Sequence, residues 1–147
     1  MEKNVVISIK GKQQYVNMDS DTIELVTEGR LQKNAAGYAV IYQETELTGL
    51  EGTTTIIQVC GDQVTMMRAG EVNTQMVFCL GQRHFSVYHT PYGDISVTVN
   101  ARHVMVDLDD QGGDVELDYD IEIDHKLAGR NVFQIHVEES KTNSLKQ

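Results

Sequence analysis

Two carboxylates with a spacing suited to acid–base chemistry lie in the segment from Tyr38 to Leu47, where one residue separates Glu44 from Glu46. On a β-strand they would share a face about 7 Å apart, because each residue advances the chain by roughly 3.3 Å. That distance is close to the spacing of the paired carboxyl groups in inverting glycosidases. Every Glu-x-Glu strand has this spacing, so catalysis is one hypothesis beside a structural or solvated role. The alternation does not decide which face of the segment points inward.

Arg68 is the cation best suited to a site, because Val64 and Met66 share its strand face and place the guanidinium at the end of an apolar stripe. A buried charge without a partner is costly, so we expect an acidic partner, with Glu44 or Glu46 as the candidates. Two roles fit this placement. One is an ion pair at the rim of the fold, and the other is binding of the anionic or polar head group of a ligand.

The other reactive residue types do not form a recognisable site. His84 and His89 have opposite strand parity, and His136 faces away from the apolar stripe of its own strand, so the histidines form no metal set. We expect His136 to be solvated and His89, which follows Phe85 and Val87, to be a hydrogen-bonded core or rim residue. The chain has neither a Gly-x-Ser-x-Gly motif nor a glycine-rich phosphate loop, so nothing indicates nucleophilic catalysis. We predict no metal and no cofactor.

The segment from Asp114 to Asp124 defines a strand with an acidic side and an apolar side. Acids occupy all six of its even positions. A slip by one residue would place these carboxylates in the core, so the alternation fixes the register. We predict that the even positions form a solvated outer wall and that the odd positions face the interior, namely Val115, Leu117, Tyr119, Ile121 and Ile123.

Turn-forming residues recur every 8 to 12 residues between alternating segments, a rhythm typical of all-β sandwiches and barrels built from hairpins. No window carries a sustained helical period, so we predict no long helix. We expect a single domain over residues 1–138 and a frayed polar tail over residues 139–147. The predicted strands are Asn4–Gln14, Thr22–Gln32, Tyr38–Leu47, Thr53–Cys60, Gln63–Arg68, Val72–Leu80, His84–Thr90, Asp94–Val106, Asp114–Asp124 and Asn131–Glu138.

The charge of the chain disfavours several classes of partner. Its formal net charge is -10, and the stretch from Asp107 to Asp124 holds nine acids and no Lys or Arg. Such a surface repels phosphates, so we expect neither nucleic acid nor an anionic membrane as a partner. No apolar run approaches the roughly 20 residues of a membrane span, and the first residues do not read as a signal peptide. We therefore expect a cytoplasmic protein, with Cys60 and Cys79 reduced.

Three segments taken together resemble the YwiB-like family of uncharacterised bacterial proteins. They read YQETELTGLEGTTT at residues 42–55, RAG at 68–70 and YHTPYG at 88–93. The resemblance covers most of the chain in order. It implies a calycin-type antiparallel β-barrel, closed and of about 8–10 up-and-down strands, similar in architecture to lipocalins and fatty-acid-binding proteins. It implies no established activity, and the Gly-x-Trp signature of a typical lipocalin is missing because the chain contains no Trp.

A barrel of about eight or more strands can hold one small molecule, so we expect binding of a small, partly apolar ligand. The residues predicted to bind it are Tyr42, Glu44, Glu46, Met66, Arg68, Tyr88 and Tyr92. Two other hypotheses stay open. One is an enzyme that uses Glu44 or Glu46 with Arg68 at the barrel mouth, and the other is a protein-interaction barrel that uses its acidic outer face. The sequence leaves the ligand and the oligomeric state undetermined.

Overall fold

The structure, a computed structural model, describes residues 1–15, 20–46, 51–70 and 73–140, without the side chains of residues 89 and 90. The described residues form ten strands and no α-helix, so they include no helix long and apolar enough to cross a membrane. The strands are β1 (Glu2–Tyr15), β2 (Ser20–Asn34), β3 (Gly37–Gln43), β4 (Thr54–Cys60), β5 (Gln63–Ala69), β6 (Thr74–Phe78), β7 (Arg83–Thr90), β8 (Gly93–Asp109), β9 (Gly112–Ile123) and β10 (Lys126–Glu139).

All ten strands belong to one antiparallel sheet in the order β6-β5-β4-β3-β2-β1-β10-β9-β8-β7. The sheet curls until its two edge strands, β6 and β7, lie side by side, where the Ser86 hydroxyl donates to the Gln75 carbonyl oxygen at 3.2 Å. No backbone ladder joins these two strands within the described residues. The all-β, up-and-down antiparallel barrel is therefore confirmed, and its closure is complete except at this seam between β6 and β7.

The alternation of β9 is confirmed along most of its length. Val115, Leu117 and Tyr119 are buried in the core, and Ile121 is partly buried against it. Ile123 keeps the interior side of the sheet, opposite Val97 on β8, but it is 42% exposed and does not belong to the core. It is the last residue of β9, directly before the Asp124–His125 turn, and therefore lies at the open end of the barrel.

The acidic wall of β9 lies outside as predicted, but its side chains are paired with neighbouring strands rather than simply solvated. Arg130 donates two hydrogen bonds to Asp118, Nε to Oδ1 at 2.8 Å and Nη2 to Oδ2 at 2.6 Å. His136 is exposed as expected, and both of its ring nitrogens have carboxylate partners. The remaining pairs along the wall are Asp120 with Arg102, Glu122 with Arg83, and Glu116 with Gln134 and His103.

A β-bulge in β8 explains how this wall reaches its cations. The pairing of β8 with β9 shifts between Ala101 and His103. Ala101 is buried in the core, whereas Arg102 and the next residue, His103, are both exposed and lie beside outward-facing acids of β9. A bulge adds one residue to one strand, so two successive side chains can point outward.

The two faces of β7 are reversed relative to the sequence expectation. β7 pairs with β8 so that Ser86 lies opposite Val97, a buried core-facing residue, and His84 lies opposite Val99. Phe85 and Val87 are consequently exposed on the outer face. The stripe expected to place His89 in the core is thus an outer stripe, and the His89 side chain lies outside the described residues.

Most strand ends differ from the predicted bounds by one to five residues, and two of the differences bear on the site and on the tail. β3 ends at Gln43 instead of continuing to Leu47, which lies outside the described residues. β10 includes Glu139, and the Ser140 amide donates to the Asn4 carbonyl oxygen at 3.0 Å, so the barrel extends two residues into the expected tail. Residues 141–147 of that tail lie outside the described residues.

Candidate functional site

The barrel interior is divided into an apolar end and a polar end. The largest fully buried side chains belong to the apolar end and the middle of the barrel, namely Phe78, Ile7, Leu31, Ile57, Leu117 and Ile135. At the other end, where β1, β3, β5 and β9 finish, polar side chains point inward among apolar ones. Close packing fills the first end, so any internal binding space must lie at the second.

A cavity of about 240 Å³ occupies the polar end. Its apolar lining includes Ile9, Leu25, Met66, Met76 and Phe133. Its polar lining includes Tyr42, Glu44, Arg68, Tyr119 and Asn131. A cavity with a mostly apolar wall and a few convergent polar groups is the usual form of a small-molecule site.

The strand register brings three of the site residues into one row. Thr55 on β4 lies directly opposite Tyr42 on β3 and directly opposite Arg68 on β5. Side chains directly opposite on one face of a sheet lie about 5 Å apart at their Cβ atoms. The row therefore carries a phenol, a hydroxyl and a guanidinium across the inner face of three neighbouring strands.

Glu44 sits just beyond the end of β3 and turns its carboxylate onto this row. Its amide donates to the Thr53 carbonyl oxygen at 2.8 Å, which holds the backbone in line with β4. The Thr55 hydroxyl donates to Glu44 Oε1 at 2.6 Å, and Arg68 Nε lies 3.9 Å from the same oxygen. Glu44 is thus a buried carboxylate with a hydroxyl donor and a cation beside it.

Two polar atoms near this row are buried without hydrogen-bond partners: Nε of Arg68 and the hydroxyl of Tyr88. Buried polar groups in folded proteins are nearly always hydrogen-bonded. Burial raises the pKa of Tyr88 to about 12, and the Arg68 charge acts in the opposite direction. Burial, followed by the Glu44 charge, also raises the pKa of Tyr42. Both phenols are therefore neutral at physiological pH and able to donate a hydrogen bond.

Comparison with known proteins identifies the family. The model of a family described as a domain of unknown function, DUF1934, matches residues 7–135. The chain belongs to the DUF1934 family. The match begins within β1 and ends within β10, so it spans the barrel.

The relatives of this DUF1934 chain confirm the resemblance to the YwiB-like family. The uncharacterized beta-barrel protein YwiB of Bacillus subtilis (strain 168) is 23% identical over 118 residues, which cover 80% of this chain and 77% of that protein. The crystal structure of the Bacillus subtilis ywiB protein superposes with a TM-score of 0.82 at 21% identity, covering 95% of this chain and 93% of that one. At 21% identity the structural similarity shows a shared fold alone.

The DUF1934 barrel brings together some of the predicted ligand-binding residues and not others. Tyr42, Glu44, Met66 and Arg68 line the cavity. Tyr88 lies outside that lining and instead borders a depression along the seam. It faces inward on β7, and the Arg68 charge acts to lower the pKa of its phenol.

Glu46 and Tyr92 do not line the cavity. Glu46 is exposed because the chain leaves the sheet after Gln43, so the expected face-sharing pair with Glu44 does not form. Tyr92 is 100% exposed in the turn between β7 and β8. Among the described lining residues Glu44 is the single carboxylate, so a mechanism with two carboxylates lacks its second group there.

Sequence reasoning missed Thr55 and Asn131 as site residues. Thr55 lies within a run of three threonines, and only the register with β3 and β5 shows that it faces Tyr42 and Arg68. Asn131 Nδ2 donates to the Tyr119 hydroxyl at 3.2 Å, across the β9–β10 pair. Of the described residues, no three His, Cys, Asp or Glu side chains group closely enough to hold a metal ion.

A more open groove of about 520 Å³ lies on the outer wall of the DUF1934 barrel, over β2, β1, β10 and β9. Its charged lining includes Asp114, Glu116 and His136, each of which has a hydrogen-bond partner on a neighbouring strand. Arg68 Nε and the Tyr88 hydroxyl, both buried without a partner, belong to residues on the inner face, and Arg68 lines the internal cavity, which makes that cavity the candidate site.

Proposed function

We propose that this DUF1934 barrel binds a small, partly apolar ligand in the cavity at its polar end. The observation that carries the proposal is the contrast between the two ends of the interior. One end is filled by side chains, whereas the other holds a cavity of about 240 Å³ with apolar walls and a row of polar groups. A packed interior without a binding role leaves few voids larger than a water molecule.

The cavity volume sets the size of the ligand. A cavity of about 150 Å³ accepts benzene, and drug-sized molecules occupy roughly 300–1,000 Å³. At about 240 Å³ the cavity fits a molecule with one ring or a short alkyl chain. The calycin-type architecture implied by the family resemblance, in which one small molecule lies within the barrel, is part of this proposal.

A cytoplasmic location also belongs to the proposal. Cys60 and Cys79 are both free thiols. Disulfides are rare in the reducing cytoplasm, so free cysteines suit a ligand-binding protein of that compartment.

Gly11 offers a direct test, because it lines the cavity and its φ lies outside the left-handed region. A Cβ placed there has Phe133 Cδ2 as its nearest neighbour, at 3.7 Å, so a side chain enters the cavity without a clash. Gly11→Leu should fill the cavity, and Gly11→Ala is the matched control because it makes the same backbone change and adds one methyl group.

Benzyl alcohol and 1-hexanol serve as neutral probes, and their binding is detected by changes in amide chemical shifts in two-dimensional NMR. We expect saturable shifts at Leu25, Met66 and Phe133 in the wild type and in Gly11→Ala, and none in Gly11→Leu. Absence of saturable shifts for both alcohols and for acids of the same size would overturn the proposal.

A further inference from the structure

The proposed ligand site contains a cation whose hydrogen-bonding capacity is unused. A guanidinium carries five N–H donors and no acceptor. Arg68 Nε is buried with no hydrogen-bond partner, and the side chain keeps 25% of its surface exposed as part of the cavity lining. The exposed part of the Arg68 side chain therefore faces the space that a ligand would occupy, and Nε lies buried behind it.

Glu44 balances the charge of Arg68 without occupying these donors. Its Oε1 atom accepts the Thr55 hydroxyl at 2.6 Å but lies 3.9 Å from Arg68 Nε, which is beyond hydrogen-bond distance. The carboxylate thus fixes the guanidinium electrostatically and leaves its N–H groups free to bind an acceptor.

The cavity is a positive region of an acidic protein. The chain has a formal net charge of -10, yet the charged side chains among the described lining residues are Lys12, Arg68 and Glu44, which sum to one positive charge. The unpartnered buried hydroxyl of Tyr88 adds a second donor on the inner face near the seam. Both features favour an anionic acceptor over a cation.

We propose that the ligand is a small monocarboxylate whose carboxylate accepts hydrogen bonds from Arg68 and Tyr88, with its apolar part against Leu25, Met66, Met76 and Phe133. This inference rests on the proposed function and names the chemical class of the ligand. Planar carboxylates match the fork of a guanidinium. A dianion such as a phosphate monoester would place a second negative charge beside buried Glu44, which disfavours it.

The test compares acids with neutral molecules of the same size. Benzoate is paired with benzyl alcohol, and hexanoate with 1-hexanol, each titrated into the full chain by NMR. We expect each acid to bind the wild type at least tenfold more tightly than its alcohol. Because this comparison uses unmodified protein, it does not depend on any variant folding.

Arg68→Met should remove the preference for the acid, so that benzoate and hexanoate bind no more tightly than their alcohols. Arg30→Met is the matched control, since it removes an arginine charge from the outer face, where Arg30 pairs with Glu2 at 3.4 Å. It should keep the preference. Tyr88→Phe should weaken acid binding severalfold and reduce the preference for the acid over its alcohol.

The outcomes separate the two proposals. Equal binding of acid and alcohol in the wild type would overturn the carboxylate inference while leaving small-molecule binding intact. A preference for the acid that persists in Arg68→Met would overturn the role of Arg68. Failure of all four probes to bind would overturn the carboxylate inference together with the proposed function.

Discussion

Arg68 and Glu44 form a buried ion pair without a hydrogen bond, with Nε 3.9 Å from Oε1. The Glu44 side chain is only 2% exposed, and the Thr55 hydroxyl holds it in place. Removing either charge would destabilise the fold, because the remaining ion would be partly or fully buried without compensation for its lost hydration. The pair therefore belongs to the stability of the barrel as well as to the proposed site.

Arg68→Met should lower the free energy of unfolding by about 1–3 kcal/mol at pH 7, because it leaves the Glu44 carboxylate buried without its cation. The partial exposure of Arg68 keeps the loss below that of a fully buried pair. Glu44→Gln/Arg68→Met should recover most of the loss, since the amide oxygen can still accept from Thr55. The coupling energy between Arg68 and Glu44 is measured by urea unfolding of four proteins: the wild type, Arg68→Met, Glu44→Gln and the double variant. A double variant no more stable than Arg68→Met alone would contradict it.

Two glycines on the inner face should respond oppositely to alanine. Gly11→Ala should raise the free energy of unfolding by about 0.5–1 kcal/mol, because alanine loses less backbone entropy on folding and its Cβ meets only Phe133. At Gly29 a Cβ would fall within 3.0 Å of the Ile41 carbonyl oxygen and the Ile7 Cδ1 atom. Gly29→Ala should therefore cost more than about 1 kcal/mol. Thermal unfolding of the two variants shows whether each substitution raises or lowers stability. A stabilising Gly29→Ala would refute the close packing at that site.

The Asp118–Arg130 pair should make stability depend on acid pH. The Arg130 hydrogen bonds hold the pKa of Asp118 below its usual value of 3.8. A lowered folded-state pKa stabilises the fold above the unfolded value, and the contribution is lost as pH falls through the folded value. Arg130→Met should lower the free energy of unfolding at pH 7 in low salt, and the difference from the wild type should shrink below pH 3.8. Urea unfolding between pH 2.5 and 7 is the measurement. A stability difference between the wild type and Arg130→Met that does not change with pH would show that it does not arise from the ion pair.

His136 should show the opposite dependence on pH. Its Nδ1 lies 2.8 Å from Asp114 Oδ1 and its Nε2 lies 2.8 Å from Glu138 Oε1. These hydrogen bonds raise the pKa of His136 above 6.5, and the bond to Asp114 has the larger effect. A raised pKa stabilises the fold below about 6.5, and the contribution is lost as pH rises through the folded value. NMR titration of the imidazole should give a pKa above 6.5 that drops in Asp114→Asn. A wild-type value at or below 6.5 would contradict the paired geometry.

Much of the barrel could be predicted from the sequence because its strands alternate strongly. The acids of β9 could not be buried, so their positions identified Leu117 and Tyr119 as interior residues. The partner of Arg68 followed from the cost of an unpaired buried charge, which pointed to Glu44 or Glu46. The end of β3 at Gln43 then decided between them.

Alternation separates two faces of a strand but does not say which one is inside. On β7 the apolar residues Phe85 and Val87 are outside, because the register with β8 turns the polar face toward the interior. The register also places Thr55 beside Arg68, and no local pattern around Thr55 indicates this. Cross-strand register depends on turns and on the bulge after Ala101, which the strand pattern alone does not specify.

Native mass spectrometry of the protein taken directly from cells tests ligand binding by the barrel most directly. The wild type and Gly11→Ala should each carry a noncovalently bound small molecule, released on denaturation and identified as a monocarboxylic acid. Gly11→Leu, whose side chain fills the cavity, should carry none. A wild-type protein that is consistently empty, with the same mass spectrum as Gly11→Leu apart from the substitution, would contradict the account.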